Sequence, residues 1–120
     1  MNILIAEANA PLAALWQRHM ERSGASVIVA HDAESALDCI DEFDLQVIVL
    51  DVMLDGGAAL GVADFANYRR PGARIVYVTS SSFFSDGSIF QISPNACAFL
   101  PSSTAPDDLA TMVEHYARAQ

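Results

Sequence analysis

Five short apolar runs, each followed by a segment of helical periodicity, set the strongest constraint on what this chain can fold into. Asn2–Ala6, Ser26–Ala30, Gln46–Leu50, Arg74–Thr79 and Ala96–Leu100 are rich in Ile, Val, Leu and Phe and end in polar or turn residues, as strands do. Runs that are apolar at nearly every position suit strands covered on both faces, the situation of a parallel sheet between two helical layers.

The intervening segments repeat apolar residues every three or four positions. Leu12, Leu15, Trp16, His19 and Met20 form one such face, with Pro11 near its start and Gly24 at its end. A second helix is expected over roughly Ala33–Phe43, with Asp32 as its cap. A third covers roughly Ala58–Arg70 and halts at Pro71-Gly72. The last runs from Pro106 to Ala119, with Thr104 as a candidate cap and Asp107 and Asp108 near its positive end. Ser80–Pro94 mixes Phe83, Phe84, Ile89, Phe90 and Ile92 with serines and Gly87, and predicts a short or irregular fourth helix. Strict βα alternation predicts an α/β fold: a flavodoxin-like (βα)5 three-layer sandwich on an open five-stranded parallel sheet, order 2-1-3-4-5. Residues 1–120 fit one domain.

Composition narrows the chemistry. All six basic residues are arginines, so lysine chemistry, including Schiff bases and a Walker-type phosphate lysine, is excluded. A net charge of −9 argues against direct nucleic-acid binding and against anionic membrane surfaces, because few cations are present to meet phosphates. Cys39 and Cys97 lie far apart and read as reduced thiols, and the three histidines show no zinc spacing. The first apolar run is too short for a signal peptide or a membrane span, which predicts a cytoplasmic protein.

In a sheet of this kind function gathers at the carboxyl ends of the strands, near the point where strand order reverses. Strand one ends in Glu7-Ala8-Asn9, strand three in Asp51, strand four in Thr79-Ser80 and strand five in Leu100-Pro101-Ser102-Ser103. Asp51 alone fits a turn-capping acid as well as a functional one. Converging with Glu7 and Thr79, it makes a pocket with two carboxylates for a hard cation and a hydroxyl for a phosphoryl oxygen.

Four segments carry a family resemblance: Asn2-Ile3-Leu4-Ile5-Ala6-Glu7; Val47-Ile48-Val49-Leu50-Asp51-Val52-Met53-Leu54; Ile75-Val76-Tyr77-Val78-Thr79-Ser80; and Asn95-Ala96-Cys97-Ala98-Phe99-Leu100-Pro101. Over essentially its whole length the chain resembles the receiver domains of two-component response regulators. The resemblance implies that Asp51 accepts a phosphoryl group from a histidine kinase or phosphotransfer protein. It implies that Glu7, Asp51 and the Met53 carbonyl hold Mg2+, and that Thr79 bonds the phosphoryl group and moves on activation. Phe99 matches the aromatic switch position, where a plain core aromatic is the competing reading.

Two departures fall inside the site. Ala8 replaces the second acid of the metal-binding pair, and Ser102 replaces the lysine after the leucine-proline of strand five, with Ser103 where a proline follows. Phosphoryl transfer brings negative charge onto a carboxylate, so losing a ligand and the fixed cation points to weak or lost Mg2+ and impaired phosphorylation. Asn9 reads as a helix cap or a neutral ligand, and Asp55 as a turn residue of Asp55-Gly56-Gly57 or an extra rim carboxylate.

The function expected is therefore a non-enzymatic receiver module in phosphorelay signalling that contacts a downstream protein. Its partner surface, by resemblance, is the fourth helix, fifth strand and fifth helix, a face that also suits a homodimer. The alternative is a pseudo-receiver that docks or dimerises without phosphorylation. A flavodoxin-like or haloacid-dehalogenase-like enzyme fits less well, since neither a phosphate loop follows strand one nor an Asp-x-Asp pair occurs at Asp51-Val52-Met53.

Overall fold

The computed structural model describes residues 1–79 and 95–118. The fourth helical segment of the sequence reading, with Phe83, Phe84, Ile89 and Phe90, lies outside the described residues. The elements are β1 (Asn2–Ala6), α1 (Ala10–Glu21), β2 (Ser26–Ala30), α2 (Ala33–Glu42), β3 (Val47–Asp51), a 3-10 turn (Leu54–Gly56), α3 (Ala59–Arg69), β4 (Arg74–Thr79), β5 (Ala96–Pro101) and α4 (Pro106–Arg118). α4 is the fifth helical pattern of the sequence. All strand pairs are parallel, in the order β2-β1-β3-β4-β5, as the alternation predicts.

The pleat divides the apolar runs between two layers. Ile3, Ile5, Val47, Val49, Val76 and Val78 pack with Ala13, Trp16 and Met20 of α1 and Leu109 and Val113 of α4. Leu4, Ala6, Ile48, Leu50, Ile75 and Tyr77 face the other way, against Ala36 and Ile40 of α2 and Val62, Ala63 and Ala66 of α3. Every one of these side chains is buried, so each strand needs both its neighbours and both helical layers.

Helix ends follow their capping chemistry. The Asn9 side chain accepts the Leu12 N–H at 3.1 Å, and Pro11 occupies the first turn of α1, where a missing N–H costs nothing. Asn9 is thus a cap. Asp32 caps α2 through the Ser35 N–H at 2.7 Å, which lowers its carboxyl below the usual range. Gly24, at φ +91°, turns the chain out of α1 toward β2. Thr104 departs from expectation, because its hydroxyl donates to the Pro101 carbonyl at 2.7 Å and closes the turn before α4. β3 also sits one residue later than expected. Gln46 remains outside it, its side chain accepting the Asn2 N–H at 2.6 Å, while Asp51 pairs with Val78 inside the ladder.

Candidate functional site

The register brings Glu7 and Asp51 together. Ala6 pairs with Leu50 across β1 and β3, so the next residues of both strands stand side by side at the carboxyl end of the sheet. Here β1 sits between β2 and β3, the reversal of strand order where such folds bind ligands. The Glu7 N–H extends the β1–β2 ladder to the Ala30 carbonyl at 3.0 Å, which fixes its backbone. Its side chain is only 4% exposed, and Oε2 accepts the Asn9 N–H at 2.9 Å.

Burial, with the nearby Asp51 carboxylate, pushes the Glu7 carboxyl up to about 7 against the opposing pull of the Asn9 N–H. The two side chains lie within hydrogen-bonding reach of one another. Asp51 is half-buried, and its Oδ1 accepts the Met53 N–H at 2.9 Å. The Val52 N–H donates to the Val78 carbonyl at 2.9 Å and carries the turn across to β4.

Thr79 stands one residue beyond Val78, the partner of Asp51, and is 3% exposed. Its carbonyl accepts the Ser102 N–H at 2.8 Å, which places Ser102 at the same end of the sheet. Ser102 is half-buried and uncharged, and Ala8 is exposed. Phe99 pairs with Tyr77, two residues back from this edge, and packs half-buried against the α2–α3 core. Three arginines are engaged elsewhere: Arg69 with Asp41, Arg70 with the Ile40 and Asp41 carbonyls, and Arg118 with Glu114.

The donor set fits a hard cation in kind and is thin in number. Two carboxylates and the Met53 carbonyl are oxygen ligands, and two acids crowded together call for a cation or a proton between them. The Met53 carbonyl already accepts the Gly56 N–H at 3.1 Å, leaving one lone pair. Among the described residues no group of three or more His, Cys, Asp or Glu side chains is placed to hold a metal. Mg2+ bound here would retain most of its water.

Two loop residues make contacts beside the strand ends, His31 outside the sequence reading and Asp55 within it. His31 directly follows β2, and its Nδ1 stands 3.0 Å from the Glu7 carbonyl. Asp55 does not supply the rim: its Oδ2 accepts the Ala33 N–H at the start of α2, at 2.6 Å. An open cleft of about 480 Å³ lies at the opposite end of the sheet, near Arg74 and Cys97. Burial pushes the Cys97 thiol up to about 11, so it stays protonated and unreactive at neutral pH. Both cysteines are free and half-buried.

Solved structures share the fold across nearly the whole chain. A response regulator receiver domain protein (CheY-like) from Methanospirillum hungatei JF-1 superposes with a TM-score of 0.87, at 22% identity, covering 98% of this chain and 94% of its own. This is the receiver fold. A second receiver-fold structure, the response regulator protein TrrA from Thermotoga maritima in complex with Mg(2+)-BeF, gives a TM-score of 0.81 at 20% identity, over 96% of this chain and 97% of its own. In sequence, the Transcriptional regulatory protein CpxR of Escherichia coli (strain K12) is 40% identical over 52 residues, 43% of this chain. That match spans 22% of the length of CpxR, so most of the relative has no counterpart in it. No protein-family model matches the chain.

Proposed function

We propose that this chain is a phosphoacceptor receiver module in which Asp51 takes a phosphoryl group from a histidine kinase or phosphotransfer protein in the cytoplasm. The observation that carries the reading is the Glu7–Asp51 carboxyl pair at the reversal of strand order, with Thr79 on the adjoining strand. In the transfer, a carboxylate oxygen of Asp51 forms a P–O bond as the phosphorus–nitrogen bond of the donor phosphoimidazole breaks, and the released imidazole takes up a proton.

The chain's own residues prepare that step. The Met53 N–H holds one oxygen of Asp51, which orients the other toward the donor. Glu7 and the Met53 carbonyl complete the ligand set for Mg2+, and bound Mg2+ would offset the charge the phosphoryl group brings. Thr79 supplies a hydroxyl for a phosphoryl oxygen and Ser102 an uncharged donor at the lysine position. The output is protein–protein contact, and Phe99 beside Tyr77 is the aromatic that reports the change at Thr79.

The test is intact-mass measurement after incubation with a small acyl-phosphate donor and Mg2+, with Asp51→Ala as control. Gain of one phosphoryl group by the parent chain and none by the control is the expected result. No gain, from the small donor or from a cognate kinase, would leave the pseudo-receiver reading, a docking module locked in one state.

A further inference from the structure

We propose that the corner between β2 and α2, residues 31–33, braces the acidic site, with His31 and Asp55 as its positioning residues. The inference rests on the phosphoacceptor reading, because it concerns how Glu7, Asp51 and Met53 are held for Mg2+.

Glu7 and Asp51 stand at the ends of separate strands, and each leads into its own loop at the carboxyl edge of the sheet. The 31–33 corner touches both. On one side His31 bonds the Glu7 carbonyl; a carbonyl only accepts, so the imidazole must carry its proton on Nδ1. On the other, the Ala33 N–H holds the Asp55 carboxylate. Asp55 is four residues beyond Asp51 and adopts φ +48°, a left-handed conformation that its tether helps to maintain. It lies inside the 3-10 turn Leu54–Gly56, whose Gly56 N–H rests on the Met53 carbonyl. Fixing Asp55 therefore fixes the direction of the Met53 oxygen, and through the Met53 N–H one oxygen of Asp51.

The brace matters more here than in a site with a fixed cation. With Ala8 and Ser102 in place of an acid and a lysine, geometry must come from the loops themselves. Outer partners that orient metal ligands typically contribute at least about 10-fold in affinity.

The experiment is calorimetric Mg2+ titration of the full chain and of His31→Ala, His31→Asn, Asp55→Gly and Asp55→Asn, with amide exchange at residues 7, 9, 33 and 53–57 followed without Mg2+. His31→Ala and Asp55→Gly are expected to weaken Mg2+ binding about 10-fold each. Both should also speed exchange on their own side of the brace. Gly at 55 takes the left-handed conformation without strain, so its loss reports the tether alone. Asn at 31 returns an N–H near the place of Nδ1, and Asn at 55 keeps an acceptor and tolerates φ > 0, so both should recover most of the affinity.

Parent-like Mg2+ binding in all four variants overturns the brace and leaves the phosphoacceptor reading standing. A fall in thermal midpoint with unchanged Mg2+ affinity also overturns it, since the residues would then serve stability alone. Asparagine variants no better than Ala and Gly overturn it as well. A parent chain that takes up no Mg2+ overturns the phosphoacceptor reading and the brace with it. The His31 and Asp55 arms are independent, so misfolding of one variant leaves the other to decide.

Discussion

The Glu7 carboxyl titrates at about 7 in the folded chain against an ordinary value of 4.5. Between those values the folded chain keeps a proton that the unfolded chain has lost, so stability falls as pH rises from about 4.5 to 7 and then levels. For a group this buried the change amounts to about 3 kcal/mol at most, and Glu7→Gln should remove it. Urea unfolding at several pH values, without divalent ions, checks this; a parent chain no less stable at pH 7.5 than at pH 5 would refute it. Mg2+ affinity runs the other way, strengthening with pH until Glu7 is ionised. A second residue-scale prediction concerns Ser102, held beside Thr79 by its backbone. Ser102→Lys introduces a charge-assisted bond of about 1.5–3 kcal/mol and, on the proposed function, should raise the rate of phosphorylation by a small donor about 10- to 100-fold. Mass spectra taken over time measure it, and an unchanged rate would show that a cation at this position does not limit the transfer. Glu7 and Asp51 were legible because an acid that ends an apolar strand is conspicuous. His31 also follows a strand directly, but its role depends on a ring nitrogen meeting a carbonyl across two strands, which spacing along the chain does not encode. The raised carboxyl of Glu7 was equally hidden, since it comes from burial depth.

α2 is held at both ends by the unit that follows it in the chain. Asp55 bonds its first turn, and Arg69 and Arg70 of the α3 terminus reach its last carbonyls. The final turn of α2 has no basic residue of its own, so these guanidinium groups supply the positive charge its dipole lacks. Arg70 spans the Ile40 and Asp41 carbonyls with Nε and Nη2, both at 3.0 Å, a fork that lysine does not reproduce. Arg70→Ala is expected to cost about 1–2 kcal/mol, with Arg70→Lys recovering less than half. A urea midpoint that falls at constant slope would bear this out, and an unmoved midpoint would show that Arg69 suffices. On the opposite face His19 and Asp107 join α1 to α4 at 2.6 Å. At this scale the strands were nearly all legible, because period and length distinguish buried strands from helices. The one-residue shift of β3 was not: Asp51 belongs to the ladder because β4 offers it a partner, and no local signal at Asp51 announces that. Thr104 misled for a similar reason, its hydroxyl being drawn to Pro101 by the end of β5 rather than to the helix that follows.

The molecule has two cores and one sheet, and the sheet makes them interdependent. Successive residues of a strand enter opposite layers: Leu4 joins the α2–α3 side while Ile3 and Ile5 join the α1–α4 side. Neither layer can be stripped away without exposing apolar strand faces to water and loosening the ladder that the other layer rests on. The chain should therefore unfold in one step despite its layered build. Trp16, the one tryptophan in the chain, offers a local reporter: it is 1% exposed and packs only in the α1–α4 layer. Ile40 is fully buried in the opposite layer. Ile40→Val removes one methylene from that side and should cost about 0.5–1.5 kcal/mol. If the cores are coupled, the Trp16 fluorescence transition moves to lower denaturant by the same amount as the far-UV circular dichroism, although no atom near Trp16 has changed. A Trp16 transition that stays in place while the dichroism shifts would mean that the two layers melt separately. The sheet would then be a partition between two units, and coupling of the Asp51 loop to α1 and α4 would need a route other than the shared strands.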